Sequence, residues 1–189
     1  MRLMLIIGLL VLVLLVWAVW TYNRIVRQKN RLREAWSGIE VQLKRRHDLI
    51  PGLVEVVKGY SDHEKELLVA VTESRSAAKD VDHAEVRRTG KVEDGLSENV
   101  GRLMMLVERY PEIKADKQFA NLAENLVEVE DQLQYARRYY NGSARDMNNL
   151  IETFPSSLVA GMFHSGRVDF FEVSSASERM APDLNQQLS

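Results

Sequence analysis

The feature that most constrains this chain is an uninterrupted apolar run near its N-terminus. Residues 3–20 read LMLIIGLLVLVLLVWAVW and contain no charged side chain. A helix of about 20 apolar residues crosses the hydrocarbon core of a bilayer, and a run of 18 residues lies within the working range. The rest of the chain is more polar and has helical patterning. The run therefore predicts a transmembrane anchor, residues 1–22, followed by a helical domain.

A cleaved signal peptide is the alternative interpretation of this run. Signal peptides have an apolar core of about 7–15 residues followed by small residues at the cleavage site. This run is longer, and its end, Trp17–Trp20, offers no pair of small residues at that spacing. Trp17, Trp20 and Tyr22 are instead typical of the aromatic belt at a membrane interface. We therefore favour an uncleaved signal-anchor in contact with the lipid bilayer.

The basic residues beside the anchor predict its orientation. Arg2 alone precedes the run, whereas five basic residues follow it within a short segment: Arg24, Arg27, Lys29, Arg31 and Arg33. The side richer in Lys and Arg stays in the cytoplasm. We expect the N-terminus outside, the helical domain on the cytoplasmic side, and Arg24 and Arg27 at the membrane interface. The alternative is that these residues form only the polar face of the next helix.

Pro51 divides the helical pattern that follows the anchor. A helix is predicted from Tyr22 to about Arg46, continuous with the anchor, with an apolar face at Leu32, Trp36, Ile39 and Leu43. Proline lacks a backbone donor and disfavours the α conformation in the residue before it. It marks either a tight turn between two helices or a kink within one. We favour the turn, because it gives segments of comparable length that can lie side by side.

Two further helices are less sharply bounded. One is predicted from the proline to Lys79, as a single helix with a weak joint at a capping box, Ser61–Glu64. Residues 80–97 contain two glycines and few apolar positions, so the pattern leaves the start of the next helix open. The apolar spacing resumes at Leu96 and ends at Pro111.

The last helix has the clearest pattern. Asp116 is a suitable N-cap, and at about 1.5 Å per residue the helix is roughly 55 Å long. Its stripe alternates by three and four: Phe119, Leu122, Leu126, Val129, Leu133, Ala136, Tyr140, Ser143, Met147, Leu150 and Phe154. A coiled coil between chains would explain this heptad. We favour packing within the chain, because three other helices have apolar faces to bury.

Together these elements predict an all-α fold. The single transmembrane helix continues into an up-and-down four-helix bundle of long antiparallel helices, residues 23–155. Residues 156–173 form an apolar turn, 158–163, capped by Ser156 or Ser157, and an extended segment, 168–173, packed on the bundle end. Residues 174–189 form a disordered tail. In this topology the apolar turn either touches the lipid headgroups or closes the bundle core, and we favour closure.

The sequence contains none of the common signatures of catalysis. It has no cysteine, which excludes disulfides, thiolate nucleophiles and Cys-ligated zinc. None of the four histidines follows a Glu at the Glu-x-x-His spacing of di-iron bundles. No nucleophile elbow, phosphate-binding loop or dinucleotide fingerprint is present. The net charge of -2 argues against nucleic-acid binding. We predict no catalytic, cofactor or metal site.

Several stretches carry residues that helix formation alone does not require. They are EAWSGIEVQLKRR (34–46), RRHDLIPGLVEVVKGY (45–60), ARRYYNGSARDMNNLIETFPSSLVAGMF (136–163) and FFEV (170–173). Together with the anchor they resemble the LemA family of bacterial membrane-anchored proteins, over nearly the whole chain to Val173. The resemblance implies a four-helix bundle behind one transmembrane helix, a bacterial inner-membrane location and no known catalytic activity. Some members of that family are associated with magnetosome membranes.

Two classes of function follow from these observations. The first is a membrane-tethered interaction or scaffold module for an unidentified membrane or envelope protein. Its candidate surface residues are Arg45, Arg46, Asp48, Pro51, Phe154, Pro155, Leu158, Met162 and Phe163. The second is an enzyme with an unrecognised site. A homo-oligomer formed through the long heptad pattern is a further, structural alternative.

Overall fold

The computed structural model of the chain describes residues 1–60, 64–81 and 85–171. Most of these residues are helical and none lies in a strand, which confirms the predicted all-α class. The helices are α1 (Arg2–Tyr60), α2 (Lys65–Lys79), α3 (Val86–Val107), α4 (Pro111–Lys114), α5 (Lys117–Glu152) and α6 (Ser156–Met162). By length and composition, α1 contains a stretch apolar enough to cross a membrane, and none of that stretch is buried.

The chain divides into two compact units. Unit 1 comprises Met1–Val41 and Gln132–Phe170, and unit 2 comprises Gln42–Asp131 and Phe171. One buried apolar cluster of unit 1 consists of Ile25, Met147, Leu150, Ile151, Val159 and Ala160. The larger cluster of unit 2 draws residues from each of α1 to α5, among them Leu53, Val71, Leu103, Ile113 and Leu126.

The predicted turn at Pro51 is wrong, because α1 continues through the proline as one helix to Tyr60. A proline inside a helix leaves the carbonyl four residues earlier without its backbone donor. That carbonyl belongs to His47, and Nε of Arg75 in α2 donates a hydrogen bond to it at 2.7 Å. A side chain from another helix thus replaces the missing amide, so the helix does not have to end. Pro51 itself is exposed.

The break lies later, at the predicted weak joint. α1 ends at Tyr60 and α2 begins at Lys65, so the single helix expected across this joint is two helices. Of the capping box, residues 61–63 lie outside the described residues, and Glu64 occupies the N-cap position without a side-chain capping bond. α2 ends at Lys79, as predicted.

α3 begins at Val86, ten residues before the apolar pattern resumes at Leu96. The reason is the composition of its buried face. Thr89, Gly90 and Glu93 are buried in the first half of the helix, so this half has no apolar stripe for a periodicity argument to find.

α5 confirms the clearest prediction, with corrections at its C-terminal end. Oδ1 of Asp116 accepts hydrogen bonds from the amides of Gln118 and Phe119, at 2.7 and 3.0 Å. The Phe119 amide holds the pKa of the Asp116 carboxyl below its usual value. The stripe is buried or half-buried from Phe119 to Leu150, which is the packing within the chain that we favoured. Phe154 lies beyond the helix and is 76% exposed.

The predicted serine cap of α6 is also wrong. Pro155 occupies the N-cap position, where no side-chain capping bond forms, and the Ser156 hydroxyl donates backwards to the Thr153 carbonyl at 2.8 Å. Residues 165–171 are neither helix nor strand. The remainder of the predicted extended segment and the predicted tail lie outside the described residues.

The bond between Arg75 and the His47 carbonyl yields a first prediction. Arg75→Ala leaves a partly buried carbonyl without a donor, and we expect it to lower the free energy of unfolding by about 1–2 kcal/mol. In a Pro51→Ala background the alanine amide can donate to the same carbonyl, so the cost of Arg75→Ala should shrink. Denaturant unfolding of the full chain in detergent, followed by circular dichroism, measures both values.

The control is Lys79→Ala, an exposed residue of the same helix, which should cost a few tenths of a kcal/mol at most. An equal cost of Arg75→Ala in the two backgrounds would contradict the compensation, because the double-mutant cycle would then show no coupling.

Candidate interaction surfaces and a polar cleft

In unit 1, α6 packs against the part of α1 where the apolar run ends. Val159 and Ala160 are buried in the same cluster as Ile25 of α1, and Trp17 and Ala18 pack against that cluster from the end of the run. α6 therefore lies beside the segment in which the sequence places the membrane interface.

The exposed side chains at this position form an apolar surface. The rings of Tyr22 and Phe163 lie with their centroids 4.4 Å apart, so the structure brings a predicted interface residue against a predicted surface residue. Phe163 is nevertheless 55% exposed. We call the whole set the α6 surface; its members are the exposed residues Phe154, Pro155, Leu158, Met162 and Phe163.

A left-handed residue ends α6 and reverses the chain. His164 has φ of 50°, a conformation that glycine usually supplies at this position. The amide of Ser165 donates to the Ala160 carbonyl at 3.0 Å, and that of His164 to the Gly161 carbonyl at 3.2 Å. This pair of bonds is the Schellman pattern. The sequence did not predict this motif, because the left-handed position is occupied by His164 and not by the glycine that usually marks it.

Two side chains of α5 hold the segment that follows. Buried Asn148 donates from Nδ2 to the Val168 carbonyl at 2.9 Å and accepts from the Val168 amide at 2.8 Å. The Tyr140 hydroxyl donates to the Asp169 carbonyl at 3.1 Å. Burial, with a smaller contribution from the Asp169 carboxylate, raises the pKa of Tyr140 to about 12.

In unit 2, the second predicted surface is only partly a surface. Arg45, Asp48 and Pro51 are exposed at a spacing of three along α1, which places them on one stripe of the helix. Arg46 is 1% exposed, so its assignment to an interaction surface is wrong.

Arg46 belongs to a buried charged cluster around Glu93, which has no exposed surface. Nη1 of Arg46 donates to Oε2 of Glu93 at 3.1 Å, and Nη2 donates to the Ser97 hydroxyl at 2.7 Å. His47 Nε2 lies 2.8 Å from the other carboxylate oxygen of Glu93. Nε of Arg46 forms an ion pair with Oε1 of Glu130 at 2.7 Å. The two groups are not aligned for a hydrogen bond.

Sequence reasoning missed this cluster although one signal for it was present. Arg46 follows Leu43 by three residues and precedes Ile50 by four, so it occupies a core position of the α1 stripe. Glu93 lies in the segment that the apolar pattern left unassigned. Glu130 lies off the apolar stripe of α5, yet it is half-buried because it faces Arg46.

A polar cleft of about 620 Å³ opens in unit 1 beside Trp20. α1 lines one side of it with arginines, and α5, Thr153 and the start of α6 line the other with amide, hydroxyl and carboxylate groups. The lining residues are Trp20, Arg24, Arg27, Gln28, Arg31, Asp146, Asn149, Leu150, Thr153 and Ser156. Within the described residues, no group of three or more His, Cys, Asp or Glu side chains is arranged to hold a metal ion.

Comparison with known proteins decides the family. The sequence model described as LemA family matches residues 35–185. This chain belongs to the LemA family. Protein LemA of Metamycoplasma hominis is 29% identical, over 87% of this chain and 74% of that protein. Magnetosome proteins MamQ 1 and MamQ 2 of Paramagnetospirillum magneticum are each 23% identical, over 88% of this chain and 71% of theirs.

The match to the LemA family includes both candidate surfaces and the Glu93 cluster. The relatives are bacterial, and two of those named above are magnetosome proteins. Together with the apolar N-terminal helix, they indicate a membrane-associated protein.

The Glu93 cluster yields a second prediction. Glu93→Gln removes the carboxylate charge while Arg46 stays buried, and Glu130 compensates only in part. We expect a loss of about 2–4 kcal/mol in the free energy of unfolding. Glu98→Gln is the matched control, because Glu98 forms an exposed pair with Arg102, and such pairs contribute at most about 1 kcal/mol. Similar losses in the two variants would mean that burial of the charge is not what matters.

Tyr140 yields a third prediction, on pH. Because its pKa is higher in the folded chain than the usual 10.0, the neutral phenol stabilises the fold fully below pH 10. This stabilisation is lost as the pH rises towards 12. Denaturation between pH 9 and 11.5 should show a steeper loss of stability in the wild type than in Tyr140→Phe. Tyr139→Phe, at an exposed position, is the control and should lose stability with pH as the wild type does. If the stability of Tyr140→Phe fell with pH as steeply as that of the wild type, the prediction would be refuted.

Proposed function

We propose that this LemA-family protein is a single-pass, non-catalytic interaction module at the bacterial cell membrane. In this proposal residues 1–22, at the start of α1, are an uncleaved signal-anchor with the N-terminus outside, and the rest of α1 and the other helices lie on the cytoplasmic side. α1, α2, α3 and α5 form the four-helix bundle. The function is to hold the α6 surface, and the exposed stripe of Arg45, Asp48 and Pro51, where a membrane or envelope protein can bind them.

The observation that carries the proposal is the position of the α6 surface. Beneath it, the buried α6 residues Val159 and Ala160 pack in one cluster with Ile25 beside the end of the apolar run. Its exposed residues Leu158 and Met162 are 59% and 76% accessible to solvent. Large apolar side chains exposed together mark binding or membrane-contact sites more often than chance.

The orientation rests on charge, and the non-catalytic role on the arrangement of groups. Five basic residues follow the apolar run and one precedes it, which supports a cytoplasmic helical region. The ionisable groups converging on Glu93 are enclosed: Arg46, His47 and Glu93 are each less than 5% exposed. A substrate could not reach them without opening unit 2, which supports a structural role.

Photocrosslinking in intact bacteria tests this function. A benzophenone amino acid replaces Leu158 in the α6 surface or, as the control, Met105 in α3, which is 67% exposed. We expect position 158 to give discrete adducts with membrane or envelope proteins and position 105 to give none, because exposure alone does not create a binding site.

The same experiment distinguishes the alternatives. Adducts at twice the mass of the chain from position 158 would indicate a homo-oligomer instead of a heterologous partner. No adduct at 158, or the same set of adducts at both positions, would overturn the proposal that the α6 surface binds a protein.

A further inference from the structure

The polar cleft of unit 1 has a composition that points to an anionic ligand. Trp20, Arg24, Arg27 and Arg31 recur at spacings of four, three and four along α1 and line the cleft together. In the part of the chain that the structure describes, none of these three arginines forms an ion pair. The Arg24 guanidinium instead lies 5.8 Å from the centroid of the Trp20 ring.

The facing wall supplies neutral hydrogen-bonding groups. Asn149, Thr153 and Ser156 line it, and Asp146 is the one carboxylate among the lining residues. Three guanidinium groups against one carboxylate give the cleft an excess of two positive charges. Guanidinium groups bind phosphate in a bidentate manner, and amides and hydroxyls complement the polar oxygens of a glycerol headgroup.

The place of the cleft along α1 decides the source of the phosphate. Trp20 is both the last residue of the apolar run and part of the cleft lining. Arg24 follows it by one helical turn. A lipid phosphate at the membrane surface occupies this level, and basic pockets at the ends of transmembrane helices bind such headgroups.

We propose that the cleft is a binding site for the headgroup of an anionic glycerophospholipid of the surrounding bilayer. Arg24 and Arg27 bind the phosphate, Trp20 lies at the start of the acyl chains, and Asn149 and Thr153 contact the glycerol. The inference rests on the proposed membrane anchor, but not on its orientation or on a protein partner of the α6 surface.

Native mass spectrometry of the full chain in neutral detergent tests the site. The chain is titrated with phosphatidylglycerol and, separately, with phosphatidylcholine of the same acyl chains. We expect one phosphatidylglycerol to be retained selectively. The double variant Arg24→Gln/Arg27→Gln should weaken its binding by about tenfold or more, because each arginine at the membrane surface contributes to the attraction of an anionic headgroup.

Two matched variants separate a built site from general charge. Lys29→Gln/Arg33→Gln removes the same charge from the same segment at residues outside the cleft lining, and should leave binding close to that of the wild type. Asp146→Asn removes the carboxylate of the lining, and should increase retention of phosphatidylglycerol several-fold. A misfolded chain would retain both lipids more strongly, whereas the gain expected here is confined to phosphatidylglycerol.

Several results would overturn the inference. They are equal binding of the two lipids, equal losses in the two double variants, and no gain in Asp146→Asn. Displacement of the lipid by glycerol 3-phosphate at equal concentration would also overturn it, because the site would then be for a soluble anion. Flotation of each variant with phosphatidylcholine liposomes tests the membrane anchor separately. A chain that floats but binds both lipids equally would refute the lipid site in the cleft and leave the anchor standing. A chain that does not float would refute the proposed anchor.

Discussion

Unit 2 depends on the contacts that Arg46 and His47 make with the buried carboxylate of Glu93. A buried carboxylate is destabilising by several kcal/mol unless charged groups and hydrogen bonds compensate it. Here the compensation comes from consecutive residues of α1, Arg46 and His47. The buried apolar side chains on either side of this pair in α1, Leu43 and Ile50, are non-directional and do not by themselves fix the position of one helix along another. The contacts of Glu93 do fix it, because a shift separates its carboxylate from both Arg46 and His47. The cluster thus selects one register between α1 and α3.

The elements that could be predicted from sequence are those whose buried faces are apolar. The stripe of α5, its N-cap at Asp116 and the end of α2 at Lys79 follow from local rules. The start of α3 does not, because Thr89 and Glu93 occupy the positions at which a periodicity argument expects apolar residues. The continuity of α1 does not follow either. It depends on Arg75, which lies 24 positions after Pro51 in the sequence and is brought to the His47 carbonyl only by tertiary packing.

The candidate surfaces show the same division. The apolar turn after the proline, Leu158 to Phe163, could be recognised directly in the sequence, but the sequence did not show that Leu158, Met162 and Phe163 would be exposed instead of closing the core. Arg46 was misassigned because it stands in a charged stretch with Arg45 and Asp48, although its own place on the core stripe argues for burial. The polar cleft was missed because its arginines also explain membrane orientation, and because Asn149 and Thr153 lie off the apolar stripe of α5. Membership of the LemA family accounts for the shared framework, whereas the cleft emerges only from the three-dimensional arrangement.

The way in which Asn148 holds the segment after α6 has a consequence for how this region can vary. The amide of Asn148 bonds to the peptide N–H and C=O of Val168, as a neighbouring β-strand would. What is recognised is therefore main chain, and the identity of the side chain at 168 matters little to these two bonds. A proline at 168 would abolish one of them, whereas many other residues would keep both. The stretch that leads away from the α6 surface can thus diverge in sequence among relatives and still dock in the same place, provided that the asparagine remains.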